Sequence, residues 1–204
     1  MIAHSALAEV AATSYRPSWS ATVAGDVHYA LLPRGAEMVV ALPGTHPAQA
    51  LDWLRDARFL PVLERGIGLV HAGFGRGARA AWVEMAPHLG TDHEIVTFTG
   101  HSLGGALAAV LAAIHAYERP GVPFRLVTFG QPRVGFLNPW LHRLIAKAQE
   151  RAIYARRGDI VPDLPFWPWY THGARATRIG ARWGDPFEDH AIAQYGDDLK
   201  ALGV

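Results

Sequence analysis

Apolar positions along this chain recur with two periods, and the switches between them outline an ordered set of elements. Short runs rich in Val, Ile, Leu and Phe predict strands over 27–32, 37–42, 67–71, 95–98, 124–129 and 152–155. The first two read as an antiparallel pair joined at Pro33-Arg34-Gly35. Longer stretches of helical period fall over 78–86, 106–117, 139–151 and 191–202. In the third, Leu141, Leu144, Ile145 and Ala148 stand at i, i+3, i+4 and i+7, a stripe that would face a sheet. Met1 to Ala12 is weakly apolar and suits a short helix packed on the body. Strands alternating with helices predict an α/β fold, with a mostly parallel central sheet covered on both faces. With 204 residues, no linker and no repeat, one domain over 1–204 is expected.

Between the strand at 95–98 and the helix at 106–117 lies Gly100-His101-Ser102-Leu103-Gly104. This is a G-x-S-x-G pattern in the strand-to-turn-to-helix setting that gives it meaning. A serine on so sharp a turn is forced into strained backbone, and glycines on either side remove the side chains that would obstruct it. The turn lifts the hydroxyl above the sheet, and the helix beneath aims backbone N–H groups at developing negative charge.

A nucleophilic serine needs a base and a group that orients the base, here in the chain order serine, acid, histidine. Asp159 follows the strand at 152–155, where a parallel sheet displays its catalytic groups. Asp163 is its rival, deeper in the same loop between two prolines. Glu118 and Glu150 fall within or at the ends of helical stretches and are poorly placed. For the base, His190 opens the last helical stretch after a polar turn, whereas His172 sits in an aromatic loop that suits packing.

Four segments in order resemble the class 3 lipases of the α/β-hydrolase fold. Val70-His71-Ala72-Gly73-Phe74 is similar to a V-H-x-G-F strand end, and residues 100–105 to the family's elbow. Residues 127–135 resemble its strand running into a G-x-P-R-V-G turn. Asp159-Ile160-Val161-Pro162 with Leu164-Pro165 resembles its acid loop. The resemblance runs from about Val39 to Tyr195. It implies Ser102, Asp159 and His190 as a catalytic triad, with Tyr195 following the histidine. It also implies an oxyanion hole from the backbone N–H groups of Leu103 and Thr45, although Pro43 stands where the family usually carries arginine. The activity implied is hydrolysis of a lipid-type carboxylic ester without a cofactor. Phospholipase A1 and acyl-transfer chemistry would use the same residues. A non-catalytic binding module would be marked by a missing triad member, and none is missing.

Composition narrows the partners. Net charge is +1 with scattered basic residues, which leaves no footprint for nucleic acid. There is no cysteine, and the eleven histidines include no pair at zinc-site spacing, so no metal is expected. His28, His46, His88, His93, His115 and His142 read as surface or capping residues. No apolar run approaches a membrane span. The N-terminus lacks the charged start and long apolar core of a secretory signal. That leaves a cytoplasmic location as the default, with signal-independent export or a mature form equally open. Seven tryptophans, and Phe166-Trp167-Pro168-Trp169-Tyr170 just after the acid loop, would suit acyl chains or a lipid surface as well as core gaps.

Residues 45–60 carry a further expectation. Ala50, Trp53, Leu54 and Ala57 form an apolar stripe opposite Asp52, Arg55, Asp56 and Arg58, the pattern of a helix that could cover the serine. If it does, activity on a short-chain ester should rise faster than saturation predicts once the substrate passes its solubility limit. Trp53→Ser should blunt that rise and spare the dissolved monomer. Hyperbolic kinetics through the limit would count against a cover.

Overall fold

Three consecutive strands of the central sheet, β3 (Glu37–Leu42), β6 (Ile95–His101) and β7 (Phe124–Phe129), are buried at every position. Strands so thoroughly buried need cover on both faces, which a parallel sheet with crossover helices supplies. The computed structural model describes residues 1–16, 22–24, 26–44, 60–89, 93–166, 168–181 and 185–204. In it β1 (Thr22–Ala24), β2 (Val27–Arg34), β9 (Glu150–Arg156) and β11 (Ala176–Ile179) complete a sheet of order β1-β2-β3-β6-β7-β9-β11. From β3 to β11 the neighbours are parallel, whereas β1, β2 and β3 pair antiparallel. The hairpin expected around Pro33-Arg34-Gly35 is there, with β2 paired to β3 up to Arg34 opposite Glu37.

The two faces follow from side-chain alternation along the strands. Val40, Leu42, Phe98 and Leu126 pack against α2 (Ala72–Met85), α3 (Leu103–Glu118) and α4 (Pro139–Ile145). Val39, Val127 and Phe129 pack against Leu7, Ala8 and Ala11 of α1 (His4–Thr13) and Tyr195 and Leu199 of α6 (Ile192–Leu202). Helix α3 is apolar all round and buried continuously from Gly104 to Ala116, as a central helix must be.

Several boundaries differ from expectation. The stretch 139–151 is helical only to Ile145, and β9 begins at Glu150. Leu141, Leu144 and Ile145 are buried as the stripe implies, but the open edge of β7 claims the residues beyond. Gln149 N–H donates to the Phe124 carbonyl, and Glu150 pairs with Arg125 in register and in charge. Helix α2 starts at Ala72 rather than at residue 78 because its first turns are glycine-rich, which hides the helical signal. A Cβ on Gly75 would lie 2.8 Å from Val70 Cγ2, so a tight approach to the strand selects glycine there. The polar turn before His190 contains a short helix, α5 (Pro186–Asp189).

The strand expected at 67–71 is β5 (Gly68–His71), but it belongs to a second sheet, ordered β10-β8-β5-β4. Its partners β4 (Pro61–Glu64), β8 (Gly135–Phe136) and β10 (Tyr170–Thr171) are too short for periodicity to reveal. His115 is not a surface residue. It is buried among Trp82, Phe98 and Phe124, and burial pushes its imidazole down to about 4.

At the edge of the sheet where its parallel strands begin, charge is buried deliberately paired. Arg125 lies 2.7 Å from Glu37 and 2.6 Å from Glu150, and also donates to the Ile2 carbonyl. Burial would raise the Glu37 carboxyl, but hydrogen bonds from Thr97 and Arg125 hold it below the usual carboxylate range. Arg125→Met should therefore cost about 3 kcal/mol of unfolding free energy in urea at neutral pH, by leaving Glu37 unpaired. Adding Glu37→Gln should recover much of the loss. Because the folded carboxyl is depressed, its contribution is present above the ordinary carboxylate range and fades as pH falls through the lowered value. The Arg125→Met penalty should shrink in acid accordingly.

Candidate active site

The candidate site, at the end of the sheet where the parallel strands finish, is built on one turn. β6 ends at His101, α3 begins at Leu103, and Ser102 between them holds φ 56° and ψ −124°. Such a conformation costs a non-glycine residue about 1–3 kcal/mol, so its surroundings must over-determine it. They do. Ser102 N–H donates to the Phe129 carbonyl at 2.9 Å, tying the turn to β7. A Cβ on Gly104 would overlap the Leu42 carbonyl oxygen, so only glycine lets the end of β3 come this close to the helix. Leu103 is the first helical residue, and N–H groups of a first turn have no acceptor within the helix.

Ser102, His190 and Asp159 meet there although 88 and 31 residues separate successive members. His190 Nε2 lies 2.9 Å from Ser102 Oγ, and its Nδ1 lies 2.8 Å from Asp159 Oδ2. A carboxylate only accepts, so Nδ1 carries the proton of the neutral ring and Nε2 accepts from the serine hydroxyl. None of the three is more than 2% exposed. Asp159 is held in turn: Val161 N–H donates to Oδ1 at 2.9 Å, and the Tyr195 hydroxyl to Oδ2 at 2.6 Å. Burial, and then the Asp159 charge, push the Tyr195 phenol well above its ordinary value, which keeps it a donor. Gly130, at φ +58°, fits where a Cβ would press on both Asp159 and His190 at 3.1 Å.

The segment carrying His190 is anchored by a buried arginine on β9. Arg156 donates to Asp189 at 2.6 Å and to Asp198 of α6 at 2.7 Å. The rival acid Asp163 faces elsewhere, paired with Arg178 and 3.7 Å from Arg133. The other histidine weighed as base, His172, packs near Gln131, which donates to its backbone carbonyl, and burial holds its ring down to about 4. Thr45 lies outside the described residues, as does the segment expected to cover the serine apart from the exposed Leu60. Of the aromatic run after the acid loop, Phe166 and Trp169 are exposed, 64% and 51%, while Tyr170 is buried.

Two residues of the site were not foreseen, His101 and Tyr15. His101 ends a strand with no residue on it exposed, and a polar ring so buried must find partners. The apolar run ends at Phe98, so the sequence puts His101 in the turn and gives no sign that the strand carries it into the interior. Its partners could not be read, because one lies 86 residues away and the other 89.

Against known proteins, the model of the family Lipase (class 3) matches residues 39–169. The chain belongs to the class 3 lipase family. A Caenorhabditis elegans lipase is 36% identical over 110 residues, covering 49% of this chain and 30% of that protein. The secreted mono- and diacylglycerol lipase 1 of Fusarium solani is 34% identical over 142 residues, 63% of this chain and 39% of that one. This class 3 lipase chain thus spans well under half the length of these two relatives. Among solved structures, the Rhizomucor miehei lipase–propeptide complex superposes with a TM-score of 0.64 at 21% identity, covering 86% of this chain and 67% of that one. A likeness at that identity speaks for the fold, and the fold is that of an α/β-hydrolase. No helix among the described residues is long and apolar enough to cross a membrane.

Proposed function

We propose that this class 3 lipase chain is a serine-dependent carboxylic ester hydrolase acting on lipid esters, triacylglycerol or shorter acylglycerols. The reading rests on the unbroken hydrogen-bond line from Ser102 Oγ through His190 to Asp159, at 2.9 and 2.8 Å. His190 takes the serine proton as Oγ attacks the ester carbonyl. The oxyanion is held by the backbone N–H groups of Leu103 and Thr45, each worth about 3 kcal/mol to the transition state. His190 then protonates the departing alcohol, and water releases the acid from the acyl-serine by the same route. Asp159 keeps the imidazole in the required tautomer and stabilises its cation, and Tyr195 and Val161 hold Asp159 for that task. The lipid-type substrate is favoured by the family and by the exposed Phe166 and Trp169 beyond the acid loop, whose rings suit acyl chains.

Labelling by a fluorophosphonate and hydrolysis of p-nitrophenyl esters of graded length test the reading. Both should be lost in Ser102→Ala, with turnover falling on the order of 10⁶-fold. Ester hydrolysis that survives in a clean Ser102→Ala preparation would defeat the serine mechanism. Phospholipid and glycerol-acceptor assays run alongside should be slower than acylglycerol hydrolysis.

Asp159→Asn should lower kcat about 10⁴-fold by favouring the wrong imidazole tautomer. Asp163→Asn should cost far less, since its carboxylate serves Arg178 and Arg133. The opposite ranking of these two variants would make Asp163 the acid and overturn the assignment to Asp159.

A further inference from the structure

The imidazole of His190 is fixed by Ser102 and Asp159, but the backbone that carries it is held separately. His101 Nε2 lies 2.7 Å from the His190 carbonyl oxygen, with the two ring centroids 4.6 Å apart. A carbonyl only accepts, so Nε2 must carry a proton. On the other side of the ring, His101 Nδ1 lies 2.6 Å from the Tyr15 hydroxyl. Burial, and then the neighbouring His190, hold His101 well below the ordinary imidazole range, so the ring is neutral. A neutral ring protonated at Nε2 has a lone pair on Nδ1, and the Tyr15 phenol, itself pushed up by burial, donates to it. The line therefore runs from Tyr15 O–H to His101 Nδ1, and from His101 Nε2–H to the carbonyl of His190.

Tyr15 stands just beyond α1, and its hydroxyl also reaches the strand end that leads to Thr45. A Cβ on Gly44 would overlap that hydroxyl and would lie 3.2 Å from Ser102 Cβ. One phenol thus touches the nucleophile's turn, the β3 exit and, through His101, the base.

We propose that Tyr15 and His101 are positioning residues for ester hydrolysis: the phenol selects the His101 tautomer, and that tautomer holds the His190 backbone where its ring meets Ser102. The proposal rests on the hydrolase reading of Ser102 and His190. In the opposite tautomer the Nε2 lone pair would face the carbonyl oxygen and drive the His190 backbone away. A charged His101 would be worse, because a second cation beside His190 opposes the imidazolium formed when the serine proton is taken. Among the described residues, the remaining ring against His101 is Tyr195, at 6.0 Å between centroids, which is neutral as well.

Tyr15→Phe deletes one oxygen, His101→Leu deletes both ring nitrogens, and His101→Gln keeps an amide N–H near the Nε2 position. With thermal unfolding followed in each, kcat should fall about tenfold in Tyr15→Phe and about a hundredfold in His101→Leu, with KM within about twofold of wild type. The double variant Tyr15→Phe/His101→Leu should be no slower than His101→Leu alone, because the phenol acts through the ring. His101→Gln should keep more activity than His101→Leu. Independently of turnover, ¹⁵N shifts of the histidine rings should report His101 as the Nε2–H tautomer in wild type and as a mixture in Tyr15→Phe. Wild-type kcat in folded Tyr15→Phe, losses that multiply in the double variant, or an Nδ1–H tautomer in the wild type would overturn the proposal. If Tyr15→Phe does not fold, equal losses in His101→Gln and His101→Leu would overturn it. A wild-type protein without Ser102-dependent hydrolysis would defeat the hydrolase reading instead, and the tautomer measurement would still decide the role of Tyr15.

Discussion

Ser102 can stand above the sheet at φ 56° because the end of β3 and the start of α3 come within backbone contact, with Gly104 against the Leu42 carbonyl. Any side chain at that point would push helix and strand apart. The Leu103 N–H would then leave the exit of β3, where the loop toward Thr45 begins. The same approach brings Gly44 beside Ser102 and under the Tyr15 hydroxyl. Strain in one residue is thus maintained by packing among its neighbours, which is how strained functional backbone persists in a folded protein.

Two buried charge networks stand at opposite ends of the parallel strands and divide the labour. Glu37, Arg125 and Glu150 tie three strands together at their beginnings and hold Ile2 through both its backbone groups. Arg156, Asp189 and Asp198 do the same at the exit of β9, where the chain segment bearing His190 must be held against the sheet. Neither network touches the serine. Each sets the position of a terminal segment, and both terminal helices lie on one face of the sheet, packed through Leu7, Ala8, Ala11, Tyr195 and Leu199. Tyr195 from α6 then steadies Asp159, and Tyr15, just past α1, reaches His101. The candidate site is therefore assembled from both ends of the chain as well as from its middle.

The amino-acid sequence by itself determined the alternation of the main strands and helices, the mostly parallel sheet and the strand-turn-helix around Ser102, but not the short strands β1 and β11 at the sheet's two edges. Each feature it determined depends on patterns within a few residues: β7 and the β2–β3 hairpin are readable because their apolar runs end in turn residues close by. Boundaries failed where a distant partner outweighed local preference. Residues 146–151 carry helical periodicity, yet pairing with β7 and the charge of Arg125 draw Glu150 into a strand. The second sheet escaped because its strands are two to four residues long and stabilise one another only after the chain has folded back. Both Asp159 and Asp163 follow β9, and only the fold decides that the first faces His190 while the second faces two arginines. The tautomer line through Tyr15, His101 and His190 lay beyond sequence altogether. A hydrogen bond needs two atoms within about 3 Å, and no local pattern encodes a distance between residues 86 apart.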